Sequence, residues 1–163
     1  VNTTKFNQAC WADEQERFRK VIGAVAPDQL DWRPDATSRS TRALIGHMIG
    51  HVQDVVELAV DGVINHRNEV PFGTLEEALQ LFDSAYDEMK TELASLDEEG
   101  WLRHADFKLG DFLIMTAPVE QLAWLMLFDS IHHRGQLTTH LRPTGRHVPS
   151  LYGPSADEES AEH

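Results

Sequence analysis

The sequence predicts an all-α protein, a four-helix bundle. Four segments of about 20 residues carry apolar side chains at helical spacing. Prolines, glycines and small polar residues interrupt the chain between them. The 163 residues favour one domain with a real core. Four amphipathic helices bury their stripes most directly against one another, in an antiparallel bundle. Two long loops leave room for a crossover connection in place of simple up-down order, and no internal repeat is visible.

The first helix lies in "TKFNQACWADEQERFRKVIGAV", with Phe6, Cys10, Phe18, Val21, Ile22 and Val25 as its apolar face, and Pro27 ends it. "APDQLDWRPDATSRS" follows as a loop. Ser40 or Thr41 can cap the second helix, "TRALIGHMIGHVQDVVELAVDG", which Gly62 should stop. Leu44, Met48, Val52, Val55, Val56 and Leu58 supply its apolar surface. "GVINHRNEVPFG" reads as a second loop. Thr74 and Glu77 make a capping box that opens the third helix. Leu75, Ala78, Leu79, Phe82, Tyr86, Met89 and Leu93 follow its 3.6 pattern, and the opposite face is acidic. "DEEGWLRHADFKLGDFLIMTAP" is the longest irregular stretch, and "DFKLGDFLIM" within it suggests a small hairpin. Pro118 opens the fourth helix, "VEQLAWLMLFDSIHHRGQLTTHLR", which stops before Pro143. Residues 1–153 then form a single domain, and the end of the turn-rich tail, residues 154–163, is expected to be disordered.

Charge and cysteine content narrow the function. Asp and Glu total 27 against 14 Lys and Arg, a net charge of −13, which argues against a nucleic-acid partner. No apolar run approaches the roughly 18 residues of a membrane span. Nothing reads as a secretion leader, so a cytoplasmic location is expected. Cys10 is the only cysteine, which excludes an intrachain disulfide and a thiolate-rich zinc site. Any metal must be held by nitrogen and oxygen.

The polar residues on the second and fourth helices point to such a metal. His47, His51 and Asp54 stand at i, i+4 and i+7 and line one stripe. On the fourth helix Asp129 and His133 are four residues apart, Gln136 and His140 extend the stripe, and His132 borders it. Residues so spaced lie within about 6 Å on one face. Two helices that contribute them can surround a divalent ion such as zinc, nickel, iron or manganese. Three ligands would leave positions open for catalysis. Any one of these histidines alone is more often a packed core residue; two stripes on two amphipathic helices favour the metal. His66, His104, His147 and His163 lie in loops or the tail and are given no role. Gly135, costly inside a helix, marks either a close approach or a tolerated weak spot. Arg134 beside it suits a carboxylate, from this chain or from a substrate.

"IHHRGQL", the tail "LRPTGRHVPSLYGPSADE" and the helix-two segment "LIGHMIGH" resemble the DinB-like (DinB/YfiT-like) superfamily over nearly the whole chain. The resemblance implies a four-helix bundle with crossover topology, often a homodimer. It also implies a divalent metal held by one helix-two histidine and an H-x-x-x-H pair on the fourth helix. Carried over by position, His47 and His133 are ligands, and the first member of the pair falls on Asp129. Aspartate keeps the i, i+4 geometry, ligates the same metals and favours a harder ion. The alternatives are recruitment of His51 or His132, or loss of the site. The resemblance further implies a metal-dependent enzyme. The leading expectation is an S-transferase using a low-molecular-weight thiol cosubstrate such as bacillithiol, mycothiol or glutathione, acting on a small molecule. His51 or His132 would serve proton transfer, and Arg134 or Arg142 would hold a cosubstrate carboxylate. The rival expectations are a metal-dependent amide or ester hydrolase and a non-enzymatic metal- or small-molecule-binding stress protein.

Overall fold

Caps and breakers fix the four long helices close to where the sequence places them. The structure is a computed structural model, and it describes residues 3–158. Helix α1 spans Thr3–Gly23, α2 Thr41–Asp61, α3 Leu75–Ser95 and α5 Val119–Leu141. Ser40 caps α2 by accepting from the Ala43 amide, and Gly62 ends it in the left-handed region at φ 72°. Thr74 caps α3 by accepting from the Glu77 amide. The Glu77 carboxylate reaches back to the Gly73 amide, one residue before the usual capping-box partner. α2 packs against α3 and α5, and α1 packs against the same two helices. No helix among the described residues is long and apolar enough to cross a membrane.

The fold is mostly helical, but not all-α. A three-stranded sheet joins the helices, in the order β1 (Val63–Asn65), β2 (His104–Leu109), β3 (Phe112–Pro118). The β2–β3 hairpin lies where "DFKLGDFLIM" suggested it, with Gly110 at φ 57° in its turn. β1 falls in a stretch read as loop. Three residues are too few to show alternation, and β1 becomes a strand only by pairing in parallel with β2, Val63 opposite Asp106. The five-residue helix α4, Glu98–Leu102, is likewise too short for a periodic signal; Asp97 caps it through the Gly100 amide.

Phe18, Val21, Ile22 and Val25 are buried as their spacing predicts, but the N-terminal half of α1 turns a different face inward. Phe6 is exposed and Cys10 half-buried, while Asn7, Trp11, Glu14 and Phe18 face inward. Glu14 hid the true stripe, because a carboxylate is seldom buried without a partner. Its partner is Arg134 on α5, itself buried. Tyr152 completes the network: its hydroxyl donates to Glu14 and accepts from Arg134. The Arg134 guanidinium also lies over the Phe18 ring, 4.7 Å from its centroid. The Asp157 carboxylate accepts from the Val148 amide and from Arg142, and that of Glu158 accepts from the Ser150 amide. Residues 159–163, with His163, lie outside the described residues.

Arg134→Ala leaves the buried Glu14 with only the more exposed Arg17 as a cation and should cost up to about 3–5 kcal/mol of unfolding free energy. Urea denaturation of the variant measures this directly; a change below about 0.5 kcal/mol would contradict a buried pair.

Candidate metal centre

Two glycines let a strap of backbone lie on α2. A Cβ at Gly46 would stand 2.6 Å from the Val70 carbonyl oxygen, and one at Gly50 would stand 2.7 Å from that of Arg67. Only glycine admits such an approach. Each glycine precedes a histidine, in "GHMIGH". The strap then reaches the site: the Nδ1–H of His47 donates to the Asn68 carbonyl at 2.6 Å.

The other two inward imidazoles are oriented in the same way. His51 Nδ1–H donates to Ser130 Oγ at 3.1 Å, and the Ser130 hydroxyl donates in turn to the Met126 carbonyl. His133 Nδ1–H donates to Gln136 Oε1 at 2.9 Å. Each ring therefore turns its Nε2 side toward the others, and in the neutral His47 and His51 rings that nitrogen is the unprotonated one. The His47 centroid lies 4.3 Å from that of His51 and 4.5 Å from that of His133. Asp129 stands between them, Oδ2 at 3.4 Å from His51 Nε2 and Oδ1 at 3.5 Å from His133 Nε2. One donor atom from each of His47, His51, Asp129 and His133 falls within a 4.8 Å cluster.

Electrostatics keep the cluster ready for a cation. Burial, helped by the Arg39 charge, pushes the His47 pKa down to about 4. Burial, helped by His47, takes that of His51 to about 3. Asp129 is held down to about 2, chiefly by hydrogen bonding from the His133 ring beside it. At neutral pH His47 and His51 are thus neutral and Asp129 is ionised. His51 Nε2 is fully buried and has no hydrogen-bond partner among the described residues. The neutral His47 and His51 imidazoles, the His133 ring, an ionised carboxylate and an orphaned buried nitrogen are a donor set that fits a divalent ion. The Asp129 side chain is 43% exposed while those of His51 and His133 are 0% and 12% exposed, so the cluster opens to solvent at Asp129.

The sequence-named residues divide. The structure brings His47, Asp129 and His133 together and adds His51 to them. His132 is exposed, outside the cluster, with its Nε2 on Gln136. Arg134, considered for a substrate carboxylate, points to the opposite side of α5 and is bound to Glu14; Arg142 is bound to Asp157. His140 is a packing residue, bonded to Thr41 and edge-on to Trp32. No neighbour lies within 4 Å of a Cβ built on Gly135, so no described part of the chain approaches it. His66, given no role from sequence, stands at the rim, its ring 5.3 Å from those of both His47 and His51. Asp54 holds it there: this buried carboxylate accepts from His66 Nδ1 at 2.7 Å and from Arg67. Asp54 in the helix-two stripe was the available signal, but its partner lies 12 residues on, past a strand that the sequence does not announce.

Residues 11–137 match the DinB superfamily, and the chain belongs to it. It is 22% identical over 154 residues to the uncharacterized protein YrdA of Bacillus subtilis, covering 91% of this chain and 87% of that one. Its fold is similar to that of the DinB-like protein YjoA of Bacillus subtilis, with a TM-score of 0.72 at 17% identity over 90% of this chain and 97% of that one. It is also similar to the mycothiol-dependent maleylpyruvate isomerase, with a TM-score of 0.59 at 11% identity, covering 82% of this chain and 60% of the isomerase.

The depressed histidine pKa values set the stability of the metal-free protein. His47 and His51 protonate near pH 4 and 3 when folded and near 6.5 when unfolded. Between these limits the unfolded chain binds more protons, so stability falls as the pH drops from about 7 to 4. Thermal melts of EDTA-treated protein across this range should show a falling midpoint, and His51→Gln should flatten the slope.

Proposed function

We propose that this protein is a divalent-metal-dependent enzyme, a low-molecular-weight-thiol S-transferase. The observation that carries the reading is the cluster of His47, His51, Asp129 and His133, four metal-ligating side chains open at one side. A divalent ion bound there would supply Lewis acidity, lowering the pKa of a sulfhydryl brought to it. The mycothiol dependence of the structurally similar isomerase supports a thiol as the cosubstrate.

The chain's own residues would do the rest. Asn68, Ser130 and Gln136 hold the three imidazoles in one tautomer and orientation. The buried walls exclude water on the His47 and His51 side, so thiol and electrophile meet at the Asp129 opening. Asp129 brings the one negative charge, which offsets half the charge of a divalent ion. His66, fixed by Asp54, forms part of the wall beside them.

The finer architecture belongs to the same reading. Packing of α1 and α2 each against both α3 and α5 supports a four-helix bundle with a crossover. Exposed apolar residues support a homodimer: Phe6 and Phe128 flank Trp124, and Phe112, Leu113 and Ile114 stand out on β3. The composition and charge favour a cytoplasmic setting.

Purified protein should conjugate a thiol such as bacillithiol, mycothiol or glutathione to monochlorobimane, and EDTA should abolish turnover. His47→Ala and His133→Ala should each lose stoichiometric metal by elemental analysis and lower kcat at least about 100-fold. Metal-dependent ester or amide cleavage without thiol would replace the transferase with a hydrolase. Metal binding without turnover of either kind would leave a metal-binding protein.

A further inference from the structure

We propose that His51 is a fourth protein ligand, making the centre a three-imidazole, one-carboxylate site in place of the three-donor set implied by family resemblance. The inference rests on the reading that the cluster holds a divalent ion. Its ground is what surrounds the two nitrogens of His51.

The Nδ1 side is closed. Ser130 Oγ gives its only hydrogen to the Met126 carbonyl, so it can meet His51 only as an acceptor, and the His51 proton must sit on Nδ1. Ser130 lies on α5 between Asp129 and His133, so one turn of helix positions all three. In the neutral ring Nε2 then carries the lone pair, and it points into a place where the side chain has no solvent exposure and no described hydrogen-bond partner. A histidine buried only for packing would leave that nitrogen facing apolar atoms or a donor. Here it faces the ionised Asp129 oxygen at 3.4 Å, acceptor to acceptor. A hydrogen bond would bring such a pair to about 2.9 Å. Two ligands on one ion, with bonds of about 2.1 Å, stand about 3.4 Å apart at neighbouring tetrahedral corners.

Four protein donors change what the centre can accept. A tetrahedral ion would be saturated. A substrate atom needs an ion that takes five or six ligands, added on the open side at Asp129. The donor set thus suits iron, manganese or nickel better than four-coordinate zinc.

The test uses the full chain stripped of metal and titrated with Co(II) against a competing chelator, with the visible absorption recorded. His51→Ala and His51→Gln should weaken Co(II) binding at least about 100-fold and shift the band. Ser130→Ala, which removes only the support, should weaken it about 10–100-fold and leave the band in place. Far-UV circular dichroism controls for folding. Should both His51 variants unfold, long-range 15N NMR of the wild-type protein with Zn(II) decides, through a coordination shift at His51 Nε2. Wild-type Co(II) affinity and spectrum in the His51 variants, or no shift at Nε2, would overturn the proposal and leave a three-donor site. No divalent ion bound by the wild type would overturn both this proposal and the enzymatic reading. Four-donor binding without thiol transfer would remove only the proposed activity.

Discussion

His47, His51, Asp129 and His133 put imidazole nitrogens and a carboxylate into one small volume, where neutral His47 and His51 and the ionised Asp129 face one another with no hydrogen to share. Lone pairs gathered in this way repel, and their desolvation goes uncompensated unless a cation enters. The surrounding structure enforces the gathering. α2 and α5 pack along the length that carries the four residues. Asn68, Ser130 and Gln136 each occupy an outward ring nitrogen and so commit the inward one. Gly46 and Gly50 give up helix propensity, about 1 kcal/mol each, to admit the strap that carries Asn68. Such sacrifices are understandable if the centre is the reason for the fold.

The run "HHRGQ" on α5 makes sense as five directions around one helix. His132 faces solvent, His133 the cluster, Arg134 the core beside α1, and Gly135 and Gln136 the surface again. One turn of helix thereby serves two sites. On the α2 side it builds the donor cluster. On the α1 side Arg134 binds Glu14 and Tyr152, which ties the C-terminal tail across the first helix. The charged residues that look misplaced in a buried helix are each matched, the histidine by other donors and the arginine by a carboxylate.

The parts legible in the sequence were those governed by local rules. Ser40, Gly62 and Thr74 announce helix ends because caps act over three or four residues. The pairs His47/His51 and Asp129/His133 were legible because i, i+4 spacing holds within a helix wherever the helix packs, while the choice of His47, Asp129 and His133 among them was what the family resemblance implied. What escaped depends on distant partners. The inward face of the N-terminal half of α1 escaped because Glu14 looks like a surface residue until Arg134, 120 positions away, is brought to it. Arg134 was open to a substrate role for the same reason. His51 stood in the predicted stripe, but only Ser130 on another helix settles which nitrogen it turns inward. His66 was missed because β1 exists only by pairing with β2.

Anomalous scattering from crystals of metal-loaded protein tests the central claim most directly. One strong peak is expected in the cluster, about 2.0–2.2 Å from the Nε2 atoms of His47 and His133 and from an Asp129 oxygen. A peak elsewhere, or none after saturating exposure to iron, manganese, nickel and zinc, would contradict it.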